Sequence, residues 1–244
     1  MRGLSETDVL DLMDRSADWQ GGAVANALLA YADPDLTDEA LDQQPLGQRD
    51  RLLIRLREAT FGPRLELKAD CPHCGDMLEF EIETADLIVP APSPRKAARL
   101  RRLDIGGRRL RLRPLNGVDV AAALQAQTWE AARDVILWRC CSDRDTGLAA
   151  NPAQLLEDEK AAVAERLEQL DPQADLTLDV ACITCGESWK PLLDVADVFW
   201  REITARAGLI LGDIHDLARA FHWTETEILA LSPTRRQTYL ALIR

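Results

Sequence analysis

The sequence predicts an α+β chain, predominantly helical, whose small β-content is a split ribbon closed on one metal ion by two distant knuckles. Three observations predict this. The first is the pair Cys71-Pro72-His73-Cys74-Gly75 and Cys182-Ile183-Thr184-Cys185-Gly186, each a C-x-x-C followed by glycine. The second is an internal repeat at a constant offset of 111 residues. Leu65, Leu67, Asp76, Ala85 and Asp86 find Leu176, Leu178, Glu187, Ala196 and Asp197 at the spacing that relates Cys71 to Cys182. The third is helical apolar periodicity with cap signals over most of the remaining chain.

The N-terminal region, residues 1–62, reads as helices. Ser5 with Asp8 is a capping box with Asp in the Glu or Gln place, and Val9, Leu10, Leu12 and Met13 follow. A second apolar helix runs from about Gly22 to Ala32 and stops before Asp33-Pro34. Thr37 caps a short third helix. Pro45-Leu46-Gly47-Gln48-Arg49-Asp50 opens a longer one, with Leu52, Leu53, Leu56 and Ala59 inward and Arg49, Arg51, Arg55 and Arg57 outward and solvated. Gly62-Pro63 closes it.

The ribbon is expected over 63–90 and 175–196. Alternating apolar residues lead into each knuckle, and Met77, Leu78, Phe80 and Ile82 lead out of the first. Cys71, Cys74, Cys182 and Cys185 supply four sulfurs, the donor set that a structural Zn²⁺ takes tetrahedrally, with no coordination position left for a substrate. Cys-Pro-His-Cys is also an active-site sequence of thiol oxidants, but those place the first cysteine at a helix N-terminus. Here a strand pattern follows, and a matched second knuckle has no place in that chemistry. Cys140 and Cys141 end an apolar run and read as buried and inert.

Between the two halves lies an insert, 91–174. Pro90 to Pro94 reads as a stiff extended connection. Leu103-Asp104-Ile105 and Leu110-Arg111-Leu112 flank Gly106-Gly107, a hairpin signature. Nine residues from Arg95 to Arg113 are basic against one acid. Without stacking aromatics the stretch fits an acidic protein surface, or this chain's own acids, better than nucleic acid. A zinc-ribbon nucleic-acid binder using residues 95–113 is the alternative function. Asn116 caps one long helix through Val118, Val120, Leu124, Trp129, Ala132, Ile136 and Leu137, and a second helix spans about Pro152 to Leu170 before Asp171-Pro172.

The C-terminal region, 197–244, reads as three short helices. Their stripes are Val195, Val198, Phe199 and Ile203, then Ile214, Leu217, Ala218 and Phe221, with a capping box at Thr224 and Glu227 and a last helix capped by Ser232 and opened by Pro233. These helices are expected to be an appendix with little core of their own. Trp200, Trp223, Arg235, Arg236 and Tyr239 are the candidate partner-binding residues, because aromatics and arginine dominate binding hot spots. His215 and His222 read as packing or surface residues.

Composition narrows the class. The chain has 244 residues, 47% apolar and 5% aromatic, with a net charge of −12, a balance that opposes general affinity for nucleic acid or acidic membranes. Met1 to Asp14 lacks the basic end and apolar core of a secretion signal, and Ala23 to Ala32 is too short to span a bilayer. A reducing cytoplasm is the expected location. No Walker loop, dinucleotide fingerprint, H-e-x-x-H pattern or Gly-x-Ser-x-Gly elbow is present, so an enzyme is not expected.

The motifs also carry a resemblance. Pro45-Leu46-Gly47-Gln48-Arg49-Asp50, Arg57-Glu58, Phe61-Gly62, the first knuckle with Leu78-Glu79, Arg111-Leu112-Arg113-Pro114 and Asp171-Pro172-Gln173-Ala174 stand in order. The second knuckle with Trp189 follows, then Phe199-Trp200-x-Glu202-Ile203, His215-x-Leu217-Ala218, Trp223-x-Glu225 and Arg235-Arg236-x-x-Tyr239-Leu240. Together they resemble the baseplate hub assembly chaperone family, of zinc-ribbon type, found in contractile-tailed phages and contractile injection systems. Ile183 departs from the pattern, where such a knuckle often has proline. The resemblance implies an accessory protein that binds baseplate or hub proteins, in a bacterial or phage-infected cell or in the assembled particle.

Overall fold

The computed structural model describes residues 2–16, 19 and 22–243. In chain order the elements are α1 (Glu6–Arg15), α2 (Gly22–Ala32), α3 (Asp38–Gln43), α4 (Leu46–Phe61), β1 (Arg64–Asp70), β2 (Met77–Glu83), α5 (Pro94–Leu100), β3 (Arg102–Ile105) and β4 (Arg108–Leu112). Then follow α6 (Gly117–Ala123), α7 (Trp129–Cys140), β5 (Cys141–Asp143), α8 (Glu157–Leu170), β6 (Val180–Ala181), β7 (Ser188–Trp189), α9 (Val195–Phe221), α10 (Glu225–Leu229) and α11 (Pro233–Ile243). The chain is thus mostly helical with three small antiparallel sheets: β1-β2, β3-β4-β5 and β6-β7.

The caps form where the sequence places them. The Ser5 and Asp8 side chains and backbone N–H groups bond reciprocally, as do those of Asn116 with Asp119 and Thr224 with Glu227, and Thr37 Oγ1 accepts from the Ala40 N–H. Each satisfies N–H groups that the first helical turn leaves without partners. In the hairpin β3-β4, Gly106 and Gly107 adopt φ of 56° and 73°, the left-handed pair that a two-residue connection requires.

Three helical expectations are corrected. The two stripes after Val195 lie on one helix, α9, 27 residues long. Phe199, Ile203, Ala207, Ile210, Ile214 and Leu217 are all buried at steps of three or four, so one apolar face continues through the interval that separated them. The helix expected from Asn116 to Leu137 is instead two, because Thr128 starts α7 by accepting from the Ala131 N–H. Leu124 and Trp129, expected along that one helix, are 75% and 67% exposed beside the break. Pro94, expected in an extended connection, is the first residue of α5, where its missing N–H costs nothing and Ser93 supplies the cap.

The packing also corrects the picture of a C-terminal appendix. The largest apolar core joins Val9, Leu12, Leu28, Leu53 and Leu56 of the first helices to Phe199, Ile203, Leu217, Ile228 and Leu240 of the last three. A second core, built on Leu110, Leu112, Leu137, Val163 and Leu167, belongs to the insert. A third is small, holding Cys71, Leu78, Val180 and Cys182. Among the described residues no helix is long and apolar enough to cross a membrane.

Candidate metal centre

The first knuckle is the turn between β1 and β2. On the inner face Leu65, Leu67 and Ala69 stand opposite Ile82, Phe80 and Leu78, the alternation that buries one side of a two-stranded ribbon. At the turn the Cys71 N–H donates to Asp76 O at 2.9 Å and the Gly75 N–H to Cys71 O at 2.9 Å. The second knuckle repeats this between β6 and β7: Cys182 N–H to Glu187 O at 2.8 Å, Gly186 N–H to Cys182 O at 2.9 Å. Gly75 and Gly186 take φ of 78° and 76°, a conformation that side chains rarely adopt. The offset of 111 residues in sequence is therefore a repeat of hydrogen bonds and dihedrals as well. The second ribbon is shorter, with Val180 opposite Trp189 and an isolated bridge from Thr177 to Leu192 extending it.

The two turns face each other. Cys71 Sγ lies 3.7 Å from Cys185 Sγ, and Cys74 Sγ lies 3.6 Å from Cys182 Sγ. All four sulfurs are within 4.8 Å of one another. Metal–sulfur bonds of about 2.3 Å at tetrahedral angles put sulfurs about 3.8 Å apart, whereas a disulfide needs about 2.05 Å. The spacing suits four ligands of one ion. Cys71 and Cys182 are buried, while Cys74 and Cys185 face outward, so the centre lies just under the surface.

The electrostatics divide the four thiols. The N–H of Cys185, then that of Thr184, hold the Cys182 thiol down to about 6 against the cost of desolvation. Cys74 accepts the Asp76 N–H, yet desolvation and the three neighbouring sulfurs push it up to about 12. Four thiolates at this spacing would repel one another, and a central cation would let all of them ionise. Ile183, 93% exposed, occupies the outer edge of its turn and contributes no ligand. Cys140 and Cys141 lie apart in the second core. Burial pushes both thiols up to about 12, and Cys140 Sγ donates to Asp119 Oδ2 at 3.5 Å.

A family model described as T4 bacteriophage base plate protein matches residues 6–200, a span that contains both knuckles. The chain belongs to that family. No curated protein and no solved structure matches it.

Several motif residues of this baseplate-family chain prove to be fasteners. Arg57, expected on a solvated arginine face, is buried and bonds Glu202 through two nitrogens and Gly62 O through the third. Arg51 of the same face bonds Gln173 Oε1 and Val89 O. Gln173, fully buried, also donates to Leu87 O at 3.0 Å and accepts from the Val89 N–H at 2.9 Å. Sequence reasoning missed it, and a polar residue beside the helix-ending Asp171-Pro172 was the available signal. Asp171 accepts the Gly47 N–H at 2.9 Å and so caps α4 from 124 residues away.

The five candidate partner-binding residues do not form one free surface. Trp200 packs on Trp19 with ring centroids 5.5 Å apart, and Trp223 is held between Phe221 at 4.7 Å and Tyr239 at 4.9 Å. Arg236 is 1% exposed and ion-paired with Glu6, so its carboxylate partner lies within this chain. Of the five, Arg235 is the exposed one.

Proposed function

We propose that this protein is a non-catalytic assembly factor of the baseplate or its hub, acting by binding other baseplate proteins, with one structural Zn²⁺ closing a split zinc ribbon. The observation that carries the reading is the baseplate family match over both knuckles. The four-sulfur cluster supports the metal. Cysteine sulfur is the soft donor that zinc prefers, and four such donors fill its shell, which is why the site is read as structural. A chaperone or adaptor role follows the motif resemblance, with the zinc fixing two segments far apart in sequence. Such a clip offsets the loop-closure cost of joining them, and binding contributes about 10–16 kcal/mol apparent in small zinc peptides.

The test has two arms. Protein purified without added metal is analysed for zinc, and about one equivalent per chain is expected. The tagged chain is also purified from its native host and its companions identified, with baseplate proteins expected among them. A metal-free chain with full helicity and an unchanged melting curve overturns the zinc reading. Companions drawn from no part of the particle overturn the assembly reading.

A further inference from the structure

We propose that the outer face of the β3-β4-β5 sheet is a docking cleft for an acidic segment of another protein, a segment carrying at least two closely spaced carboxylates. The inference rests on the reading of the chain as a protein-binding assembly factor. It starts from strand register. Arg102 of β3 stands directly opposite Arg111 of β4, and Arg111 stands opposite Ser142 of β5. Like charges directly opposite in an antiparallel pair are destabilising. Both arginines are exposed.

The other arginines of this face are occupied. Arg144 bonds Asp104 at 2.9 Å, Arg113 bonds Asp119 at 2.6 Å, and Arg109 pairs with Asp145. Arg108, on the opposite face, lies 3.7 Å from Glu159. Arg102, Arg111 and the adjoining Arg101 make no ion pair among the described residues. Intramolecular pairing therefore takes up Arg108, Arg109 and Arg113 of the basic stretch. Among the described residues it leaves Arg101, Arg102 and Arg111 unpaired at the sheet, with Arg95, Lys96 and Arg99 unpaired on α5.

The three converge on open space. Two neighbouring clefts, each of about 460 Å³, share Arg101 and Arg111 in their walls. Arg102 lines one, and Trp138, 49% exposed, lines the other. Guanidinium groups take carboxylates bidentately, and a half-exposed tryptophan offers an apolar contact beside them. Charge selects the occupant. The three cleft cations sit on a chain of net charge −12, whose overall field opposes the long polyanion of a nucleic acid. A short acidic peptide needs only the local field.

The experiment measures anisotropy of a fluorescein-labelled hexaglutamate peptide and of a labelled oligothymidylate with the full-length chain at physiological salt. The variants are Arg102→Glu and the triple change Arg101→Ser, Arg102→Ser, Arg111→Ser, with Arg201→Ser on α9 as control. The peptide is expected to bind the unaltered chain and the control alike, and to bind the triple variant at least tenfold more weakly. Arg102→Glu replaces the repelling pair by an attracting one, so its melting temperature should rise by about 1–3 °C while peptide binding falls. That opposed pair of shifts decides the matter even if the triple variant does not fold. Equal peptide binding by the unaltered chain and Arg102→Glu overturns the proposal. So does tighter binding of oligothymidylate, or self-association that the substitutions abolish, which would make a second copy the source of the carboxylates. Baseplate proteins that still co-purify with a folded triple variant overturn the cleft alone, whereas their absence from the unaltered chain overturns the reading beneath it.

Discussion

Arg57 and Glu202, 145 residues apart, form a two-pronged ion pair in which the arginine side chain is only 6% exposed. It ties α4 to α9, the two longest helices of the main core. Removing one member of such a pair leaves the other desolvated without compensation. Glu202→Ala should therefore lower stability by about 3 kcal/mol, the low end of the range for buried pairs because Glu202 keeps some solvent contact. Denaturant unfolding of the variant checks this. The double change Arg57→Met with Glu202→Leu should recover more than half of the loss, since an apolar pair needs no counter-charge.

The near-identity of the two knuckles makes a symmetric prediction. Cys71→Ser and Cys182→Ser each remove one buried sulfur from the same cluster, so they should lower the melting temperature equally and abolish stoichiometric metal together. Cys140→Ser, in a separate core, should leave metal content unchanged. Excess chelator should shift the unaltered chain toward the melting curve of the two variants. Unequal damage from the two buried cysteines, with metal retained in one, contradicts a shared four-sulfur site.

Gly47 is a close-approach glycine. A Cβ there would lie 2.2 Å from Asp171 Oδ1 and 2.8 Å from Gln173 Cβ, and Asp171 cannot swing away without releasing the Gly47 N–H that it caps. Gly47→Ala should cost about 2 kcal/mol, as overpacking of a filled site does, despite the better helix propensity of alanine. Asp171→Ala in the same chain should reduce the penalty of the second substitution, and a double-mutant cycle measures that coupling.

Two aspartates should give opposite pH signatures. Burial alone would raise the Asp119 carboxyl, but bonds from Arg113, Arg139 and the Asn116 N–H hold it down to about 2, against an ordinary value of 3.8. Its folded value lies below the unfolded one, so its contribution is full above the unfolded value and is lost as pH falls toward 2. The shift corresponds to about 2 kcal/mol. Asp50 runs the other way. Burial, with Asp194 and Asp171 nearby, outweighs Arg49 and pushes it up to about 7, so it favours the folded state while protonated and weakens it as pH rises from 4 through 7. Asp50→Asn should remove that decline, making the variant more stable than the unaltered chain at pH 8. Asp119→Asn should remove the acid-side dependence and lower stability at neutral pH. Unfolding free energies measured across pH 3–8 separate the two.

The four-cysteine cluster was legible because it is written locally: spacing and glycine are properties of five consecutive residues met twice. The caps at Ser5, Thr37, Asn116 and Thr224 were legible for the same reason. Arg57, Gln173 and Arg236 were not, since their partners Glu202, Leu87 with Val89, and Glu6 lie far away in sequence. Helical periodicity places an arginine on the rim of an apolar face without saying whether water or another helix lies beyond it. The continuity of α9 was obscured by Gly208 and Gly212, which weaken helix propensity. Both sit on the outer side, where an added Cβ would meet nothing, so the buried stripe runs past them.

The last two arginines of the basic pair in α11 should behave differently. Arg235 is exposed and Arg236 is buried against Glu6, which also accepts from Arg206 Nη2 at 2.5 Å. Arg235→Ala should change stability by less than about 0.5 kcal/mol. Glu6→Ala strands a fully desolvated guanidinium between α1 and α11 and should cost about 3 kcal/mol. Arg236→Met should be milder than Glu6→Ala. The Nε and Nη1 of Arg236 are buried without partners among the described residues, so the ion is only partly satisfied, and Glu6 keeps Arg206 when it is removed. The order of damage, Glu6→Ala above Arg236→Met above Arg235→Ala, is read from denaturation midpoints at neutral pH. Were Arg236→Met the most damaging of the three, the charge itself and not the stranded partner would be what holds the last helix to the first.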